Sequence, residues 1–270
     1  MKQSSQKHTY TPLQLFLFAV AALALSATIL HTVALLAFQD AVGYFRTSLP
    51  VIALYIIEGS VLALCIVFPF VKKGTSVSAS RPLSTAGLVG AASGAVFLVV
   101  NALYLFLRRE VITYCPALLV LLTAIFCALG AGYFATRFRG SSDSTVLCGY
   151  GMILCATCML VMTYFDRYTQ MNAPHKISLH LCMLAVMLAV LFEVRELLHK
   201  DLSPWRLATT ALAFFFCVMT GLGNVIAFLA GVYNDLTYLF QDLICLSLSV
   251  YFGARLFDLV ARQETQVKEQ

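Results

Sequence analysis

The chain has 270 residues, 60% of them hydrophobic and 11% charged, with a net charge of +5. A soluble domain carries roughly a quarter charged residues, and one aqueous core could not hide this much apolar side chain, so an ordinary water-soluble protein is excluded. The basic residues sit in short connectors between apolar runs rather than along one face, which argues against a nucleic-acid partner.

Lys2 and Lys7 precede a first apolar stretch, Leu13–Phe38. It is far longer than the roughly 7–15 residues of a cleaved signal core, so it reads as a retained helix after a tail at residues 1–12. Seven further windows follow: Leu49–Val71, Leu83–Leu107, Cys115–Thr136, Thr145–Phe165, Ile177–Leu198, Trp205–Val232 and Leu236–Val260. Each provides the roughly 20 mainly apolar residues that a helix needs to cross a bilayer. Lipid-exposed backbone must be helical or closed into a barrel, and the alternation of barrel strands is absent. The expectation is an all-α integral membrane protein, a bundle of about eight transmembrane helices. A single domain spans 13–260, followed by a tail at 261–270.

Pro50, Pro116, Pro174 and Pro204 stand near predicted helix starts, where a missing N–H does no harm. Asn172 and Ser203 can cap the sixth and seventh helices, and Pro69 marks the exit of the second. The longest connectors are Lys72–Pro82 and Arg137–Ser144. The second divides the chain into halves of like orientation, 13–136 and 145–260, as a parallel duplication would, but the halves share no clear residue-level match.

With the N-terminus inside, the outer connectors receive only Arg46, Arg108, Arg109, Arg167 and Lys176 of the 18 basic residues. The positive-inside rule therefore selects N-in, C-in, and the lipid bilayer is the first partner implied. Tyr44, Tyr164, Trp205 and Tyr233 lie at span ends and read as an interfacial aromatic belt. In the third span Gly90-x-x-x-Gly94 lets helix backbones approach closely. It serves either packing within the chain or a homodimer seam through Gly90 and Gly94.

Nine cysteines fall almost entirely within apolar runs, so they form no exposed disulfide framework. Cys155-x-x-Cys158 lies inside a span without the His or second Cys pair of a zinc site, and reads as packing. No H-E-x-x-H, G-x-S-x-G or Walker motif is present, so neither an enzyme nor a cofactor is expected.

Polar residues inside spans are costly and are the natural candidates for a site. Glu58 lies nine residues into the second span, roughly 13 Å deep at the helical rise, with no basic residue within a turn. His31, Asn101, His180, Asn224, Gln241 and Asp242 share the outer half across five other spans. The sharper reading is a pocket lined by His31, Glu58, Asn224 and Asp242, open outward, that binds a cation, proton or small polar solute. The plainer one is a polar clasp between helices that transports nothing. At the inner ends Glu193, Arg195, Glu196 and Arg255 read as snorkelling interfacial anchors.

The segment Met171-Asn172-Ala173-Pro174-His175-Lys176, with the following helix ending Glu193-Val-Arg195-Glu196, resembles uncharacterised multi-pass membrane proteins of Gram-positive anaerobes. That resemblance implies a bacterial plasma membrane and carries no activity. Asn172 and Pro174 here begin a helix at the outer surface, as an ordinary helix cap or as a positive dipole end that attracts an anion alongside His175 and Lys176. Two function classes stay open: a small-solute, ion or proton transporter, and a membrane sensor, scaffold or accessory subunit.

Overall fold

A computed structural model describes residues 11–40, 43–71, 83–109, 112, 115–137, 143–166, 173–199 and 204–269. The Asn172 and Ser203 caps, the connector 72–82 and most of the 1–12 tail lie outside these residues. Eight helices carry the described chain: α1 Pro12–Ala37, α2 Leu49–Val71, α3 Thr85–Arg108, α4 Ala117–Arg137, α5 Asp143–Phe165, α6 Pro174–His199, α7 Pro204–Leu229 and α8 Leu236–Glu269. All eight are long and apolar enough to cross a membrane.

Local chemistry explains the helix ends. Thr11 caps α1, its hydroxyl accepting from the Gln14 N–H while the Gln14 side chain returns to the Thr11 N–H. Ser84 caps α3, and Pro12, Pro174 and Pro204 open their helices. The last helix does not stop at Val260 but runs on to Glu269. No Gly or Pro follows Val260, and the Ala, Arg, Gln, Glu and Lys there favour helix once it leaves lipid.

Each helix from α3 to α7 packs on its successor, and α8 closes back on α3, giving a ring of six. α1 lies against α7 outside this ring, and α2 packs on α1 and α7. The halves 13–136 and 145–260 are thus interleaved, with α4 on α5 and α3 on α8. Leu25, Ile56, Phe70, Leu103 and Leu147 point outward and are more than half exposed, as lipid-facing side chains are.

Glycines set the closest approaches to α8. A Cβ on Gly90 of α3 would fall 2.4 Å from the Tyr251 backbone nitrogen, and one on Gly221 of α7 2.4 Å from that of Leu246. Gly94 faces the Phe134 ring of α4. Both Gly90 and Gly94 are buried inside the chain, which corrects the homodimer-seam reading: the close-packing face is already occupied by α8 and α4.

Along the ring the buried side chains form layers. A middle layer is apolar and sulfur-rich. Cys182 of α6 lies 3.5 Å from both Cys217 of α7 and Cys245 of α8, and Cys155 of α5 lies 3.3 Å from Cys127 of α4. Polar clusters occupy the two ends.

Candidate functional site

The outer cluster begins where α7 and α1 touch. A Cβ on Gly223 would sit 2.8 Å from His31 Cδ2, so glycine there leaves room for the imidazole. His31 Nε2 is 3.0 Å from Asn224 Oδ1, and Asn224 Nδ2 donates to Asp242 Oδ1 at 2.9 Å. With its Nδ2 given to Asp242, the Asn224 amide turns its oxygen toward His31, and that oxygen accepts from His31 Nε2. His31 Nδ1 is then a buried acceptor with no hydrogen-bond partner. Phe45, from the α1–α2 connector, lies edge-on to the same ring at 6.2 Å.

The other Asp242 oxygen is met from two more elements. Gly231 adopts φ 77°, and the Val232 N–H reaches back to the Ala227 carbonyl at 3.0 Å, a glycine-terminated helix end. This turn carries Tyr233 over the cluster, with its hydroxyl 2.9 Å from Asp242 Oδ2 and 2.6 Å from the Asn224 carbonyl. Burial and the Asp242 carboxylate push the Tyr233 phenol above its ordinary range, so the hydroxyl keeps its proton. His175 Nε2, at the start of α6, lies 3.4 Å from Asp242 Oδ2.

A second limb extends from His175, whose ring packs 4.7 Å from Tyr233 and 4.6 Å from Tyr238. The Tyr238 hydroxyl donates to the Asp166 carboxylate, and Lys176 Nζ donates to the Asp166 carbonyl at 2.8 Å. His31, His175, Lys176, Asn224, Asp166 and Asp242 are all buried.

Three of the four residues expected in the pocket therefore come together: His31, Asn224 and Asp242. Glu58 does not join them. It is partly buried on α2, among the described residues it has no hydrogen bond or ion pair, and its neighbours Tyr55, Gly59 and Ser60 are exposed. The depth was read from sequence, but α2 lies outside the ring, so that depth does not bring Glu58 to Asp242. Asn101 instead points its Nδ2 at Cys127 Sγ, and His180 meets the Leu160 carbonyl.

Three further readings are corrected. Tyr233 is not simply a belt residue, because its hydroxyl bonds inside the cluster. His175 and Lys176 do not stand free at a helix start to draw an anion, being buried and turned to Asp242 and Asp166. The inner-end charges are not all snorkelling anchors. Glu193 is 1% exposed. Its Oε1 lies 3.0 Å from Arg255 Nε, 3.5 Å from Arg206 and 3.8 Å from Arg137. Its Oε2 accepts from Tyr133 at 2.5 Å and Tyr251 at 2.9 Å, and Glu196 pairs with Arg206. Arg195, in contrast, is exposed. One signal was legible: Val186, Ala189, Val190 and Glu193 share helical spacing, so Glu193 continues the buried stripe of α6.

Comparison with protein-family models, with curated proteins and with solved structures finds no match to this chain. What the fold defines is a multi-pass membrane protein of eight apolar helices. Among the described residues no group of His, Cys, Asp or Glu is arranged to hold a metal ion.

Proposed function

We propose that this chain is a non-enzymatic, proton-linked transporter of a bacterial plasma membrane, with Asp242 as the group that gains and loses the proton. The supporting observation is the placement of the Tyr233 hydroxyl between Asp242 Oδ2 and the Asn224 carbonyl. With Asp242 ionised, the hydroxyl donates to the carboxylate. With Asp242 protonated at Oδ2, the hydroxyl accepts that proton's hydrogen bond and donates to the carbonyl instead. Both charge states then leave the Asp242 carboxyl and the Tyr233 hydroxyl bonded, so the usual penalty for an unsatisfied buried polar atom is avoided at these two groups. The open acceptor on His31 suits a small solute carrying an N–H or O–H donor.

A membrane sensor or accessory subunit is the second reading. It is favoured by the apolar, sulfur-rich layer packed between the outer and inner clusters. Proteoliposomes loaded with a pH-sensitive dye separate the two. Flux driven by an imposed pH gradient and abolished by Asp242→Asn supports transport. No flux, together with a pH-dependent change in amide exchange near α7 and α8 that Asp242→Asn removes, supports the sensor. Absence of both responses overturns the assignment of Asp242.

A further inference from the structure

The inner cluster holds more positive charge than its own carboxylates neutralise. Arg137, Arg206 and Arg255 gather on Glu193, and Glu196 adds one further carboxylate through Arg206. Arginine stays protonated in proteins, and the two tyrosines bring no charge, both donating to Glu193 Oε2. The next carboxylate along α8, Asp258, faces the Ser84 N–H. Among the described residues one positive charge is left over, in a cluster where Arg206 is 1% and Arg255 2% exposed. Uncompensated charge at this burial is costly.

The donors are not used up either. A guanidinium offers five N–H bonds, yet the Nε atoms of Arg137 and Arg206 are buried without a hydrogen-bond partner. Glu193 cannot take them, since three arginines and two phenols already surround its oxygens. Surplus positive charge combined with unused, fixed N–H donors is the recognition chemistry for an oxyanion. A phosphate, with several acceptor oxygens in the right geometry for guanidinium forks, fits it best. Arg137, the last residue of α4, is the most open of the three arginines, its side chain 12% exposed at the inner end of the bundle.

We propose that Arg137, Arg206 and Arg255 bind a phosphate group at the inner end of the helix ring, carried by an anionic phospholipid headgroup or by a soluble phosphate compound. This site is independent of Asp242 and stands whether or not the chain transports protons.

The test uses the purified full chain in neutral, phosphate-free detergent, following unfolding temperature and native mass spectra. One arm adds phosphatidylglycerol against phosphatidylcholine of the same acyl chains. The other adds inorganic phosphate against chloride at matched ionic strength. Saturable stabilisation in the lipid arm assigns a headgroup; the same in the phosphate arm assigns a soluble ligand. Arg137→Gln weakens the effective probe by roughly tenfold or more, as loss of a charge-assisted contact does. Glu196→Gln, which removes a competing carboxylate, tightens it. The proposal is overturned if neither arm exceeds its control, or if Arg137→Gln binds as wild type. Should Arg137→Gln fail to fold, an unchanged affinity in Glu196→Gln overturns it equally.

Discussion

Replacing Asp242 by alanine removes the acceptor on which the outer cluster converges. Asn224 Nδ2 loses its bond at 2.9 Å and His175 Nε2 its contact at 3.4 Å, whereas Tyr233 keeps the Asn224 carbonyl. Hydrogen bonds between membrane helices average about 0.6 kcal/mol and reach about 1.7. A buried donor left with no partner costs about 1–3 kcal/mol. Together these place Asp242→Ala about 2–4 kcal/mol below wild type. Asp242→Asn keeps an oxygen for Asn224 and turns an amide toward Tyr233 and His175, both of which can accept a hydrogen bond, so its cost is about 1 kcal/mol or less. Reversible unfolding in mixed micelles of dodecyl sulfate and a neutral detergent measures both. A gap of about 2 kcal/mol between the variants corresponds to roughly thirtyfold in the unfolding constant. If Asp242→Ala unfolds within about 0.5 kcal/mol of wild type, or if the two variants are equally unstable, the convergence on Asp242 has no energetic weight and the argument fails.

Five other substitutions probe different parts of the fold. Gly90→Ala places a methyl against the α8 backbone rather than a yielding side chain, so α3 must shift at about 1–3 kcal/mol. Gly59→Ala, with nothing within 4 Å, should match or exceed wild-type stability, and equal melting of the two would refute the packing. Glu193→Gln strips three arginines of their shared carboxylate and should cost about 3–5 kcal/mol, against about 1 kcal/mol for Tyr133→Phe. A mild Glu193→Gln, read by the same micelle titration, would show that the inner cluster is not energetically joined. Glu58→Gln should leave both stability and the pH response of the Asp242 cluster unchanged, because Glu58 bonds to none of it. A shifted pH profile in that variant would return Glu58 to the site.

The medium and the element count were legible along the chain because length, apolarity and breaker positions are local properties. Eight runs of about 20 apolar residues admit few structures other than eight membrane helices, and the helices differ from those runs only at their ends. The shared outer level of His31, Asn224 and Asp242 was also legible, since helical rise converts sequence distance into depth.

Neighbourhood was not legible, because it depends on which faces of different helices pack together. Glu58 passed the same depth test as Asp242, but α2 lies outside the ring and α8 is part of it, so one carboxylate is partly buried without a partner and the other is met by Asn224, Tyr233 and His175. Glu193 and Arg195, two residues apart, received one reading as interfacial charges. The 100° turn between successive helix residues puts one against Arg137, Arg206 and Arg255 and leaves the other exposed. Composition and periodicity decided that this chain is a bundle of helices in lipid. The three-dimensional packing decided which costly polar groups meet, because a side chain's partners are set by helices distant in sequence.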